Sequence, residues 1–439
     1  MLMQEYTVKY EGFQSGLRPS WQGRRQQAFL LECLNVQPFQ ESVTSIQPII
    51  SPVPQQEVIF PFPQLVIANE IFQLNESSVQ RLSGNFQPIA SMNVTSGASW
   101  QWADFGKFIL FANGQTVVEY LEGEGFSLWT GPKFSTCCTF NGQLIVGGFA
   151  PSWYDAGINS VGWSKIGSAD FTIDKSNTAG YAHVDGDVLC VKQLGKGFVA
   201  YSERAVNFFS PVAEPVVAFA QQPLENIPGL ASRNAVGGNS SKHLLVDSVG
   251  QLWLLTNEAP KMLGYQDFLS RMLGTDIIVT YNEATQNFSI SNEEVSFVWN
   301  ERGMAKQFQA ITSQFVFAGG SIGFFEAVDD QGFLLKTDSL DFGFRGLKTL
   351  TSIELAHSSN AYVYAALDWR YDTKEPFRSS RWVKLNERGI ATLMITAADF
   401  RVKLQSSDYQ NMELDYALLK FKISDKRNIR GPHASQTSS

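Results

Sequence analysis

The segment from Gly195 to Phe209 reads GKGFVAYSERAVNFF and predicts two antiparallel strands joined by a tight turn. Residues 198–201 and 205–209 are rich in β-branched and aromatic side chains, which suit a pleated, half-buried surface. The polar residues Ser202 to Arg204 separate the two runs, as the turn of a hairpin requires. Because related units recur through the middle of the chain, the segment favours an all-β fold built from repeated hairpins.

Similar hairpin units lie on both sides of this segment. Asn113-Gly114 and Asn141-Gly142 each separate two apolar runs, and both residue types accept the positive φ of a two-residue hairpin turn. Further units begin near His243 and Ile277, and an earlier one lies near Leu65. The spacing of successive units is about 40 residues, the length of one four-stranded propeller blade. The sequence therefore predicts an irregular β-propeller with about five or six blades.

The composition is that of a chain that forms a core. Hydrophobic residues make up 44% of the sequence and charged residues only 17%, which excludes a disordered protein. The 35 Gly and 17 Pro are spread along the chain as turn residues, which suits many short strands. No apolar run reaches the length of a membrane span, and the N-terminal residues lack the pattern of a signal peptide. We therefore expect the protein to fold in a cytosol.

The character of the sequence changes along the chain. Residues 1–60 are rich in Gln and Pro and predict an extended N-terminal arm suited to lying on another surface. Residues 61–345 carry the hairpin units of the propeller. Residues 346–425 contain six further strand-like runs, some with strict alternation such as FRVKL at 400–404, and predict a C-terminal β-sandwich. Residues 426–439 are polar and predict a basic tail.

Two motifs carry a resemblance to a known family. The segments VGWSKIGSADF at 161–171 and LGKGFVAYSERAVNFF at 194–209, with the order of the predicted parts, resemble the tail nozzle or hub proteins of short-tailed bacteriophages, also called packaged-DNA stabilisation proteins. In that family a Trp-Ser segment precedes a glycine-led strand pair, and a sandwich closes the chain. The resemblance implies a homo-hexameric ring in the virion tail, assembled in the host cytoplasm, that retains packaged DNA and conducts it during ejection.

The same resemblance implies the partners of such a ring. They are the phage adaptor and portal proteins above it, and tail fibre, spike or needle proteins. Double-stranded DNA would pass through the ring without sequence-specific binding. The net charge of −8 fits transient passage, because a protein that neutralises many phosphates holds DNA tightly.

The sequence predicts no enzyme activity, no cofactor and no metal site. None of the four histidines stands at metal-ligand spacing from another histidine or a cysteine. Asp329-Asp330 and the pair Glu122 and Glu124 lie beside glycines, which favours solvated loops over the paired carboxylates of a glycosidase. The alternative function is a propeller-type glycan-binding module or glycosidase, with its pocket formed by loops on one blade face.

A cluster of cations and aromatic residues between two predicted sandwich strands is the candidate partner contact. Arginine and aromatic residues are enriched where proteins bind each other. The alternative is a solvated loop that its own aromatic residues anchor. The candidate interface residues are Arg370, Tyr371, Lys374, Phe377, Arg378, Arg381, Trp382 and Lys384.

Overall fold

Strands dominate the computed structural model, which describes residues 4–19, 29–46, 62–97, 99–174, 179–212, 219–317, 320–325, 332–344, 346–358, 362–407 and 412–424. The predicted tail 426–439 and the pair Asp329-Asp330 lie outside these residues. Within them, helical structure is limited to α1 (Gln266–Leu269) and to the 3₁₀ turns Gly12–Ser15 and Ser270–Met272. The all-β prediction is confirmed.

Four strands precede the propeller, and its blades follow in chain order. The first strands are β1 (Glu5–Tyr10), β2 (Leu30–Leu34), β3 (Val36–Phe39) and β4 (Ser42–Ser45). Blade 1 contains β5 (Pro63–Ile67), β6 (Glu70–Asn75), β7 (Ser78–Leu82) and β8 (Pro88–Asn93). Blade 2 contains β9 (Gln101–Asp104), β10 (Ile109–Ala112), β11 (Val117–Leu121) and β12 (Gly125–Leu128). Blade 3 contains β13 (Phe134–Phe140), β14 (Gln143–Phe149), β15 (Ser160–Trp163) and β16 (Gly180–His183).

The second half of the propeller repeats the same unit. Blade 4 contains β17 (Val188–Leu194), β18 (Gly197–Ser202), β19 (Val206–Pro211) and β20 (Phe219–Pro223). Blade 5 contains β21 (Val236–Asn239), β22 (Lys242–Val246), β23 (Leu252–Leu255) and β24 (Lys261–Gly264). Blade 6 contains β25 (Ile278–Asn282), β26 (Asn287–Ser291), β27 (Ser296–Asn300) and β28 (Gly303–Gln307).

Ten strands follow blade 6. They are β29 (Ile311–Phe317), β30 (Gly320–Phe325), β31 (Phe333–Thr337), β32 (Lys348–Ser358), β33 (Val363–Arg370), β34 (Arg378–Ser379), β35 (Val383–Lys384), β36 (Ile390–Ala397), β37 (Asp399–Ser406) and β38 (Glu413–Ile423).

The segment that opened the sequence analysis forms the middle hairpin of blade 4. Phe198 of β18 lies opposite Phe209 of β19, and their rings stack with centroids 4.8 Å apart. The amide of Ala205 donates to the Ser202 hydroxyl across the turn, at 3.0 Å. In blade 3, Asn141 and Gly142 have φ of 47° and 70°, the values that a two-residue hairpin turn requires. The local turn chemistry therefore sets the register of each blade.

The ring of blades closes by returning the chain to blade 1. Strand β29 pairs in parallel with β5, so that Phe315 lies opposite Gln64, and β30 pairs with β29 on the side away from β5. Strand β30 also packs against β25 of blade 6, which joins the last blade to the first. Aromatic side chains fill the space between blades: Phe72 of blade 1 contacts Phe111 and Tyr120 of blade 2, with centroids 5.1 and 5.0 Å apart. Among the described residues, six blades thus enclose one axis.

The sheet of blade 6 continues into the C-terminal sandwich. Strand β2 pairs with β28 on one side and with β31 on the other, and the order runs on through β37, β33 and β34 in one ten-stranded sheet. The second sheet has the order β3-β4-β38-β32-β36, with β1 paired to β38. The two sheets bury a common core that includes Leu350, Ile353, Val363, Ala365, Val402, Leu404 and Leu419.

The predicted N-terminal arm is extended, and the surface on which its strands lie belongs to the same chain. Strands β1, β3 and β4 complete one sandwich sheet, while β2 enters the other. Strand β31 falls inside the range 61–345 predicted for the propeller, but it pairs with β37 of the sandwich. Alternation of apolar and polar residues predicts a strand without naming its partner, so pairing distant in sequence had no local signal.

A buried lysine fixes the start of the second sandwich sheet. Lys348 has no exposed surface, and its ammonium group donates to the backbone oxygens of Phe344, Gly346 and Ala398. Burial lowers the pKa of Lys348 to about 8, so the group remains charged at neutral pH. Three carbonyl groups of the chain entering β32 and of the β36–β37 turn therefore depend on one side chain.

We expect Lys348→Met to lower the free energy of unfolding by about 2–4 kcal/mol, because it leaves buried carbonyl groups without a donor. Denaturant unfolding of the full chain measures the effect. The matched control is Lys261→Met, at an exposed position of β24. Equal unfolding midpoints for Lys348→Met and the wild type would contradict this role of Lys348.

Candidate functional site

A loop covers the outer face of the ten-stranded sheet where β31, β37 and β33 lie side by side. In β33, Val363, Ala365 and Leu367 point into the sandwich core, so that Asp368 and Arg370 reach the outer face or its edge. Residues 371–382, here called the covering loop, fold back over this face. The loop holds most of the predicted interface residues.

The centre of this face is a buried carboxylate shared by two lysines. Asp368 is 4% exposed, and its oxygens accept from Lys403 Nζ at 2.7 Å and from Lys336 Nζ at 3.2 Å. Ser379 of the covering loop adds a third hydrogen bond at 2.6 Å. Burial raises the pKa of Asp368, but the hydrogen bonds from Lys403 and Ser379 outweigh burial and leave the pKa below its ordinary value. Asp368 thus stays ionised and ties the loop to the sheet.

Cation–π contacts hold the other half of the covering loop. The ring of Phe377 lies between two guanidinium groups, 4.4 Å from that of Arg370 and 3.9 Å from that of Arg401. Arg370 is itself fixed, because its Nε donates to Asp399 at 2.8 Å and its Nη1 to the backbone oxygen of Thr373 at 2.8 Å. The ring of Trp382 lies 5.3 Å from the Lys403 ammonium. The loop is therefore anchored by the faces of its aromatic rings.

The outward side of the covering loop presents cations. Arg378 lies over the rings of Trp369 and Tyr371 at 5.3 and 5.8 Å, and Lys384 lies over Tyr362 at 3.1 Å. Within the described residues, no carboxylate lies at ion-pair distance from Lys374, Arg378, Arg381 or Lys384. The loop also carries Asp372, which is exposed, and Glu375, which is half-buried, so this surface combines a small excess of positive charge with exposed aromatic rings.

The structure places the eight predicted interface residues in or beside the covering loop and divides them into two groups. Half-buried residues that anchor the loop are Arg370, Phe377 and Trp382. Exposed residues are Tyr371, Lys374, Arg378, Arg381 and Lys384. The sequence analysis missed the residues beneath them, Lys336, Asp368, Asp399, Arg401 and Lys403. The alternation of Arg401 and Lys403 with core residues placed them on an outer face, but nothing in the sequence indicated that a loop covers it. Their role as a partner contact stays a prediction.

We expect Phe377→Leu to loosen the covering loop, because leucine keeps apolar bulk but lacks the ring face that two guanidinium groups share. Trypsin should then cleave faster after Lys374, Arg378 and Arg381, and the unfolding free energy should fall by about 1 kcal/mol. Mass spectrometry of timed digests measures cleavage. The control is Phe308→Leu, at a ring that is 52% exposed. Unchanged cleavage in the Phe377 variant would show that the ring does not hold the loop.

A second candidate site lies on the propeller axis. A cavity of about 380 Å³ opens between the innermost strands of the blades, and its polar lining includes Gln101, Lys192, Gln193, Asn234, Asn239, Glu283 and Ser321. Gln101 donates to Asn234 at 3.1 Å, and Asn239 donates to Glu283 at 2.7 Å. Amide groups of this kind can donate to and accept from a polar ligand.

A buried histidine lies beside this cavity. His243 of β22 is 1% exposed, and its Nδ1 lies 2.7 Å from the hydroxyl of Tyr201, which is fully buried. Burial lowers the pKa of His243 to about 3. The imidazole is therefore neutral at physiological pH, and the pair joins blade 5 to blade 4 through a neutral hydrogen bond.

We expect the protein to lose stability as pH falls from 6.5 to about 3. In that pH range the histidine is protonated in the unfolded chain, whereas His243 in the folded protein stays neutral. The free energy of unfolding therefore falls by up to about 1.4 kcal/mol per pH unit. Chemical unfolding at several pH values measures the slope. His243→Gln should flatten it relative to the wild type. The same slope in His243→Gln and in the wild type would contradict the assignment.

The structure also shows where the remaining candidate residues of the sequence analysis lie. Glu122 and Glu124 lie at the turn between β11 and β12 of blade 2 and are exposed. The four cysteines are free thiols. Throughout the described ranges, no three His, Cys, Asp or Glu side chains come together as a metal site would need. The described helices include none with the length and apolar character needed to cross a membrane.

Comparison with known proteins finds solved structures that are similar to this chain, with low sequence identity and low TM-scores. No family model matches the chain, and no curated protein matches it. Among solved structures, the Neurospora crassa Pan2 WD40 domain is 8% identical over 66% of this chain and 88% of its own, with a TM-score of 0.38. BamB from Moraxella catarrhalis is 9% identical over 76% of this chain and 94% of its own, with a TM-score of 0.37. At these values, nothing about their partners carries over to this chain.

Proposed function

We propose that the protein is a structural subunit of a bacteriophage tail, in which six copies form a nozzle or hub ring that retains packaged DNA and conducts it during ejection. The observation that carries the proposal is the outward face of the covering loop, where exposed cations lie over exposed aromatic rings and have no carboxylate at ion-pair distance among the described residues. Cations and aromatic rings with such exposure are typical of a surface that another protein covers.

The continuous sheet supports this role mechanically. Because blade 6 and the outer sandwich sheet are one hydrogen-bonded sheet, a load on the sandwich passes directly to the propeller. A tail component has to transmit force between its neighbours without changing shape. The expected neighbours are adaptor and portal proteins on one side, and fibre, spike or needle proteins on the other.

The distribution of charge also supports assembly. Residues 362–407 contain eight Lys and Arg against five Asp and Glu, whereas the whole chain carries −8. The region of residues 362–407 is therefore basic and the rest of the chain is acidic, so the basic region of one copy can bind an acidic region of the next. A predominantly acidic wall would also let DNA pass without tight binding.

The polar cavity on the propeller axis favours one alternative, a propeller-type glycan-binding module. Paired amide side chains, such as Gln101 with Asn234, match the hydroxyl groups of a sugar in hydrogen-bonding capacity. Titration with an immobilised glycan panel tests it, with Asn234→Ala as the matched variant. Saturable sugar binding that Asn234→Ala abolishes, by a protein that stays monomeric, would favour this alternative.

We expect the purified full chain to form closed rings of six copies, since the proposed nozzle needs a lumen that no single copy encloses. Native mass spectrometry gives the stoichiometry, and electron microscopy shows whether the ring has an opening wide enough for duplex DNA. A monomer at all protein and salt concentrations would contradict the ring.

A further inference from the structure

We propose that neighbouring subunits join head to tail through two surfaces of opposite charge, the covering loop of one copy and the β11–β12 hairpin of the next. The hairpin, residues 117–128, is here called the acidic hairpin. This inference rests on the proposed ring, and it names the contact that closes it.

The covering loop has side chains free to meet a partner. Lys374 and Arg381 are exposed and have no carboxylate partner at ion-pair distance among the described residues. Tyr371 beside them is 46% exposed, and Tyr362 at the start of β33 is 65% exposed. The anchoring contacts of Phe377 and Asp368 hold the backbone beneath, so the outward side is preorganised for binding.

The acidic hairpin has the complementary character. Glu122 and Glu124 are exposed at its turn, and Glu119 lies behind them on β11. Burial, and then the charge of the nearby Glu124, raise the pKa of Glu119. In the part of the chain that the structure describes, none of the three forms an ion pair.

The hairpin also has features of a contact besides its charge. Leu128 at the end of β12 is 57% exposed, and β12 is the edge strand of its sheet, so its outer backbone groups pair with no strand of the blade. The exposed leucine can pack against the exposed tyrosines of the covering loop, and the free backbone oxygens of the edge can accept hydrogen bonds from its cations. Native proteins protect such edges, and a neighbouring copy can provide that protection here.

The order of the blades that lead to the two surfaces is compatible with a ring of six. The sandwich continues the sheet of blade 6, and the hairpin forms the outer edge of blade 2, with blade 1 between them. Six blades share the full circle, so the directions of blade 6 and blade 2 from the propeller axis differ by about 120°. In a closed ring of six, the directions from one copy to its two neighbours also differ by about 120°. With the propeller axis parallel to the ring axis, the contact repeats and closes.

Two charge-reversal variants of the full chain test the contact. The loop variant carries Lys374→Glu and Arg381→Glu, and the hairpin variant carries Glu122→Lys and Glu124→Lys. Each variant alone should assemble poorly, because like charges then face each other across every contact, and the protein concentration for half-assembly should rise more than about tenfold. Native mass spectrometry and sedimentation measure assembly.

Mixing the two variants gives the sharper result. In an equimolar mixture the acidic loop of one variant meets the basic hairpin of the other, and the basic loop meets the acidic hairpin. We therefore expect rings with three copies of each variant, which the two masses identify. The control is Lys196→Glu in the β17–β18 turn of blade 4, which should assemble as the wild type does.

The outcomes separate this inference from the proposed function. If the wild type forms rings of six and both variants assemble equally well, the ring stands and the named contact is wrong. If the loop variant keeps its rings but loses retention on immobilised duplex DNA, the covering loop binds phosphate and the inference is overturned. If the wild type never assembles, both proposals fail.

Discussion

The structure depends on the pairing of β2 with two strands that both lie far from it in sequence, β28 and β31. By entering between β28 of blade 6 and β31 of the sandwich, five residues join two domains into one ten-stranded sheet. Backbone hydrogen bonds at a sheet junction resist bending more than side-chain contacts across a domain boundary do. The covering loop and the blades are therefore connected through one continuous sheet, in which the pairing of β2 with blade 6 is made at Leu34 and Lys306.

The candidate interface shows how buried charge can shape an exposed surface. Asp368, Lys336 and Lys403 form a compact ionic group under the loop, and the guanidinium groups of Arg370 and Arg401 enclose Phe377. Breaking such a group is costly because it leaves an uncompensated charge, so the group specifies one loop conformation. The outward cations are then displayed on a backbone that does not have to be ordered upon binding.

The sequence predicted those features that local chemistry determines. The Asn-Gly turn at 141–142 and the hairpin from Gly195 to Phe209 are where their turn residues place them, and the loop cluster around Phe377 was found from its composition. Features set by long-range pairing were not predictable. The β29–β5 closure, the insertion of β2 and the place of Asp368 under the loop depend on partners that no short window of sequence contains. The number of blades likewise could not be fixed from the sequence, because it follows from the order of the strands in the sheets.

The place of β2 has a consequence for synthesis on the ribosome. Leu34 lies beside Lys306 and opposite Leu334, so the partners of β2 emerge roughly 300 residues after it. During that interval the blades can pack one after another, whereas β1 and β2 have no partner strand to pair with. The sheet that unites the molecule must therefore be among the last parts to form, and until then its unpaired edges are exposed to association with other nascent chains.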